Sequence, residues 1–295
     1  MLARQIRGRG CFLNKDAQRF ARLGGALETV RPARQVHLAR AMKGAATSIF
    51  FVHGAGGNKE QWRFQWAHFA DAPVNLVAWD AIGHGASPRP RAASAYQGQE
   101  LLEDAEAIFL KYKTARNIVV AHSYGARLAL AWLLAHPGAF DSAVLLGAAP
   151  LGQLGGRLFP GWLGRVPLPI MELARPILSR AFRKRAWSAD ADPALVATEQ
   201  RATRGNTLFM MQSLIAGAPA IDTAALRGIT QPITILAGEQ DGLIPPDSSS
   251  RLAEYLPNAT LLTVPACGHQ IMLEAPGITN QAIDAALGHA AGAPA

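Results

Sequence analysis

The stretch VVAHSYGARLAL, residues 119–130, decides how the chain is read. Val119 and Val120 are β-branched and run into Ala121, His122, Ser123, Tyr124 and Gly125, after which a helical pattern begins. A serine at a strand-to-helix turn, with small residues two before and two after, has the layout of a strained turn that presents a nucleophile, G-x-S-x-G. Here the first small residue is Ala121, which adds one methyl group to the turn. A serine in this place is also a common helix N-cap. The pentapeptide alone leaves both readings open.

Working outward, short apolar runs alternate with longer helical patterns. TSIFFV (47–52), NLVAW (75–79), NIVVA (117–121), AVLLG (143–147), PITILA (232–237) and TLLTV (260–264) read as strands buried on both faces. Helical patterns fall at 58–70, 96–113, 124–136, 247–256 and 277–289. Such alternation predicts a parallel sheet with right-handed crossovers. The earlier segment ALETVRPARQVHLARAM is expected to add one or two antiparallel edge strands. Residues 150–225 break the alternation with Pro/Gly clusters and three helical runs, too long for one crossover. They read as a helical cap inserted over the sheet. The core then comprises 46–149 and 226–295, preceded by a basic arm at 1–45.

The chain has 295 residues, 49% apolar and 17% charged, enough to bury a large core and too apolar for bulk disorder. The net charge of +8 lies in residues 1–45, where ten Arg or Lys face only Asp16 and Glu28. Such an arm suits an anionic membrane surface or an acidic partner, or is simply solvated. No basic stripe interleaved with aromatics follows it, which excludes nucleic acid as the expected partner. The start has neither the apolar run nor the cleavage pattern of a secretory signal, although its Arg-rich character also resembles a transit peptide. No stretch approaches the ~20 apolar residues of a membrane span. Cys11 and Cys267 make no disulfide framework and have no metal spacing, which fits a reducing, cytoplasmic compartment.

Polar residues cluster just past the strands: HGAGG (53–57), DAIGHGAS (80–87), HSYG (122–125), GEQDGLIP (238–245) and PACGHQIMLEAP (265–276). Ligands bind at this edge of a parallel sheet. Cleaving an ester with a serine needs a base to take its proton, a carboxylate to orient that base, and donors for the oxyanion. Ser123, Asp241 and His269 occur in that order, each past a strand. The N–H of Tyr124, at a helix start, and one from the HGAGG loop, Ala55, are the expected oxyanion donors.

These five segments, in order, resemble the α/β-hydrolase fold in its serine-hydrolase branch, over roughly residues 45–290. AIFLKYKTARNIVVAHSYG is especially similar to the abhydrolase-domain-containing proteins. The resemblance implies an eight-stranded, mostly parallel sheet with a cap between strands six and seven. It implies the triad Ser123, Asp241 and His269, and no metal or organic cofactor. It also places the acid of G-x-x-D at Asp241 rather than Glu239, Asp247 or Asp104; Asp247 reads as a helix N-cap.

Three histidines rival His269. His53 is expected to shape the HGAGG loop, His84 to sit structurally in a GHG turn, and His122 to point away from Ser123. Glu274 is expected to close a turn, DAIGHGAS to be a structural loop, and Cys267 to be packed. Trp162, Trp187, Phe209, Met210, Met211 and Leu214 are expected to build the cap and line part of an apolar cleft. RAFRKR (180–185) reads as a solvated helix face. The expected activity is hydrolysis of a carboxylic ester with an apolar part. A thioesterase, acyltransferase or C–C bond hydrolase on the same triad, or a non-catalytic lipid- or partner-binding protein, are the alternatives.

Overall fold

A computed structural model describes residues 23–150 and 168–289. Residues 1–22 of the basic arm, Cys11 among them, and the Pro/Gly-rich start of the insertion, Trp162 included, lie outside the described residues. Eight strands form one sheet in the order β1-β2-β4-β3-β5-β6-β7-β8. They are β1 (Ala26–Arg31), β2 (Arg34–Ala41), β3 (Thr47–Val52), β4 (Asn75–Asp80), β5 (Arg116–His122), β6 (Ser142–Leu146), β7 (Ile233–Gly238) and β8 (Ala259–Val264). The hairpin β1–β2 joins β4 antiparallel, and every pairing from β4 to β8 is parallel.

Successive strand side chains point to opposite faces, and from β3 to β7 both faces are covered; β8, at the edge of the sheet, is half exposed, with Leu262 at 42%, which corrects the reading of TLLTV as a strand buried on both faces. Phe50, Val52, Val119 and Ala121 face one core, and Ile49, Phe51, Ile118 and Val120 the other. The first core is closed by α2 (Gly98–Tyr112), α3 (Tyr124–Ala135) and α7 (Pro246–Tyr255). The second is closed by α1 (Arg63–His68), α8 (Ile271–Glu274) and α9 (Pro276–His289). A strand buried on both sides has no polar face to alternate with, so the strands read as unbroken apolar runs.

Between β6 and β7 lie the cap helices α4 (Leu168–Ala186), α5 (Pro193–Thr203) and α6 (Leu208–Ala216). Pro193 occupies the first turn of α5, where it costs no hydrogen bond, and the Asp192 carboxylate accepts from the Ala194 N–H. Met210 and Leu214 of α6 pack on Ile82, Tyr96, Leu101, Tyr124 and Leu128, which fixes the cap over the carboxyl ends of the strands. Trp187, just past α4, packs on the second core instead.

One buried ion pair ties α5 to the core: Arg63 Nη1 lies 2.6 Å from Glu199 Oε1. Burial raises the Glu199 pKa despite the guanidinium beside it. Removing one partner strands the other charge in a dry site. Arg63→Leu is therefore expected to destabilise the fold by about 3–5 kcal/mol. The double variant Arg63→Leu/Glu199→Leu is expected to recover most of that loss in denaturant unfolding, because no charge is then left unpaired.

Candidate active site

Ser123 sits where β5 ends and α3 begins, with φ 51° and ψ −114°. A non-glycine residue at positive φ is strained and has to be held by its surroundings. Its N–H donates to Leu146 O at 2.8 Å. Two residues on, a Cβ at Gly125 would lie 2.5 Å from Val52 O and 2.6 Å from His53 O. Only glycine lets α3 start this close to the end of β3. Ala121, by contrast, is fully buried within β5, in register with Val52 and Leu145. The methyl group that departs from the usual pattern is absorbed as core packing. Ser123 holds the N-cap position, yet its side chain makes no capping hydrogen bond. The sequence reading of Ser123 as an N-cap holds for its position but not for its side chain, which is left free of capping.

Asp241 follows β7 in a tight turn and is buried, as is His269 beyond β8. His269 Nδ1 lies 2.6 Å from Asp241 Oδ2. The other carboxylate oxygen, Oδ1, accepts the N–H groups of Leu243 at 2.8 Å and Ile244 at 2.7 Å. The carboxylate is therefore locked in orientation, and its acceptor toward the ring selects the tautomer protonated at Nδ1. The basic lone pair is left on Nε2. Gly147, directly after β6, has φ +54°, and a Cβ there would stand 3.0 Å from the His269 ring and 3.5 Å from Asp241 Oδ2. The pair is thus roofed by backbone that tolerates no side chain. Sequence reasoning missed Gly147; the glycine that ends AVLLG was its only signal.

The structure brings Ser123 to the same rim. The ring of His122, the residue before Ser123, packs 4.6 Å from the His269 ring at a tilt of 52°, and its Nε2–H donates to His269 O at 2.9 Å. His122 thus supports the histidine loop rather than competing with it. The Ser123 hydroxyl itself makes no hydrogen bond among the described residues.

The HGAGG loop passes beside Ser123, where a Cβ on Gly54 would be 3.1 Å from Ser123 Cβ. Two buried histidines hold it. His53 Nδ1–H donates to Gly54 O at 2.8 Å while Nε2 accepts from Ala81 N–H at 3.0 Å. His84 Nε2 accepts from Gly56 N–H at 3.1 Å while Nδ1–H donates to Ile82 O at 3.0 Å. The N–H groups of Ala55 and Tyr124 accept no such duty: neither has an acceptor among the described residues. Beneath the loop lies a cavity lined by Val52, Ala55, Leu101, Tyr124, Leu128 and Leu214, with His53 and His84 at its wall.

The rival acids are committed elsewhere. Asp104 pairs with Arg31 and Arg34, clamping the β1–β2 hairpin to α2. Glu239 is exposed and accepts from Ala266 N–H at 2.9 Å. Asp247 is exposed in the first turn of α7, whose N-cap is Pro245; the sequence reading of Asp247 as the cap placed it two residues too late. Asp80 is buried and accepts from Lys59 N–H, Ala86 N–H and Lys59 Nζ, holding the DAIGHGAS loop. Glu274 Oε2 accepts from Ser188 N–H at 2.9 Å. Cys267 is buried and its thiol pKa is pushed up by desolvation, so it carries no thiolate.

Burial lowers the pKa of His53, His84 and His122, with His84 taken from 6.5 to about 3. Each is neutral when folded and gains a proton more easily when unfolded. Folding stability is thus present in full above about pH 6.5 and is lost as pH falls toward the folded values. Thermal unfolding measured from pH 7 to pH 4 is expected to show a steep fall in Tm. His84→Gln is expected to flatten that fall.

A family model described as the alpha/beta hydrolase fold matches residues 47–276. The chain is similar to mouse Protein ABHD8, at 29% identity over 265 residues, covering 85% of this chain and 58% of that protein. It therefore spans little more than half the length of that relative. It is 23% identical over 255 residues to the 2-(acetamidomethylene)succinate hydrolase of Mesorhizobium japonicum, covering 82% of this chain and 88% of that one. Among solved structures, the esterase of Exiguobacterium antarcticum superposes with a TM-score of 0.77 at 17% identity, covering 90% of this chain and all of that one. With a strained serine turn after β5, a cap between β6 and β7, and this match across most of its length, the chain belongs to the alpha/beta hydrolase fold family.

Proposed function

We infer that the protein is a serine hydrolase of carboxylic esters with an apolar part. The observation that carries this reading is the Asp241–His269 hydrogen bond of 2.6 Å at the rim where the strained Ser123 is presented. Ser123 Oγ attacks the ester carbonyl as His269 Nε2 takes its proton. Asp241 stabilises the imidazolium that forms, since a buried cation next to a carboxylate is far better off than one alone. The N–H groups of Ala55 and Tyr124 meet the oxyanion; both are backbone donors on elements already held in place, so little reorganisation is needed. His269 returns the proton to the leaving alcohol. A water, deprotonated by the same nitrogen, then releases the acid. The side chains packed around Tyr124 and the cap, Leu101, Leu128 and Leu214, are apolar, which is the ground for expecting an apolar acyl or alcohol group. The hydrolase named among the relatives and the esterase among the fold neighbours act within the same broad chemistry.

A fluorophosphonate probe tests the reading directly. Labelling is expected on the peptide holding Ser123, and heat-unfolded protein is expected to stay unlabelled. Folded protein that resists the probe would overturn the assignment. A chain-length series of chromogenic esters, run beside thioesters and a C–C substrate, then ranks the bond types.

A further inference from the structure

Among the described residues, helix α4 presents a stripe left exposed. Ile170, Leu173 and Ile177 are exposed to 56%, 84% and 74%. Exposed large apolar side chains usually occur singly; here three stand together. Their spacing of three and four residues places them on one face. The same spacing continues to Arg180 and Lys184, both exposed. From Ile170 to Lys184 the stripe is about 21 Å long at 1.5 Å per residue. Its first part is apolar and its second part cationic.

We propose that this stripe of α4 docks the protein on an anionic membrane surface. An interfacial bilayer accepts both halves together. Apolar side chains enter the acyl boundary, while Arg and Lys lay their stems along it and reach the phosphates. Each basic residue near an anionic leaflet adds to the attraction. A second copy of the chain fits less well. A two-fold contact sets the stripe against itself, and the stripe offers no carboxylate to Arg180 or Lys184. The arrangement is one of surface contact: among the described residues no helix is long and apolar enough to cross a membrane.

The far end of the same helix grips both loops of the acid–base pair. Ala186 O accepts from His269 N–H at 2.9 Å, and Arg185 O accepts from Gly242 N–H at 2.9 Å. Arg185 Nε returns a bond to Gly242 O at 2.9 Å. A membrane-bound α4 therefore holds the rim of the site at the lipid boundary, where an apolar ester would arrive. The docking proposal stands on the stripe alone and does not need Ser123 to be active.

Vesicle flotation of the full chain tests it, with 30% phosphatidylglycerol in phosphatidylcholine against phosphatidylcholine alone. The wild type is expected to float with the anionic vesicles. Leu173→Asp/Ile177→Asp is expected to bind at least tenfold less tightly, with an unchanged thermal melt. Arg180→Gln/Lys184→Gln is expected to lose the preference for the anionic composition. A chain lacking residues 1–22 separates the basic arm, and its binding is expected to remain sensitive to Leu173→Asp/Ile177→Asp. Wild type that stays with neither vesicle overturns the proposal. So does a Leu173→Asp/Ile177→Asp variant that floats like wild type. A wild-type dimer that becomes monomeric in that variant, with no change in flotation, overturns it in favour of a second copy.

Discussion

Ser123→Ala is expected to lower kcat for ester turnover by about 10⁶-fold, since removing the nucleophile of such a triad leaves only binding and oxyanion contacts. The fold should survive. The strain at φ 51° comes from a Cβ in the left-handed region, and alanine keeps that Cβ. The hydroxyl holds no cap bond, so its loss leaves no orphaned partner. Progress curves on a chromogenic ester, with a thermal melt alongside, check both halves. Turnover retained in the alanine variant would remove Ser123 from the mechanism and reopen the choice among the rim residues.

Asp241→Asn is the second large effect, expected at about 10⁴-fold in kcat, and its cause is orientation rather than loss of a contact. Oδ1 is held by the N–H groups of Leu243 and Ile244. An asparagine must keep its carbonyl oxygen there, because an amide NH2 would face two donors. Its NH2 then occupies the place of Oδ2, 2.6 Å from His269 Nδ1. It donates where the carboxylate accepted, so His269 shifts to the tautomer protonated at Nε2. That nitrogen no longer takes a proton from serine. The size of the side chain is unchanged, so stability should change far less than rate. A rate close to wild type would show that the carboxylate does not set the tautomer.

Much of this was legible before any coordinates. The six core strands sit where unbroken apolar runs placed them; in five of them burial on both faces leaves that mark in composition, while β8 carries an apolar run although its edge position leaves it half exposed. The residues at the strand ends were legible for a topological reason: parallel strands deliver all their carboxyl ends to one edge, however far apart they lie in the chain. Ser123, Asp241 and His269 could be put on one rim on that ground.

What the chain order hides is contact across distance. Whether Ala121 spoiled the serine turn depended on the space around a Cβ. At Gly125 that space is closed by Val52 O and His53 O; at Ala121 the methyl fills core. The pentapeptide shows two small residues and cannot say that one is obligatory and the other is not. His122 looked like a rival base until its Nε2 was found on His269 O, 147 positions away. Asp104 looked available until Arg31 and Arg34 took it. The backbone of Ala186 carries no sequence signal at all for its bond to His269, since any residue has a carbonyl. Local periodicity and topology are properties of the sequence. Which polar atoms are already spent, and which backbone is too close for a side chain, are decided only when the chain packs.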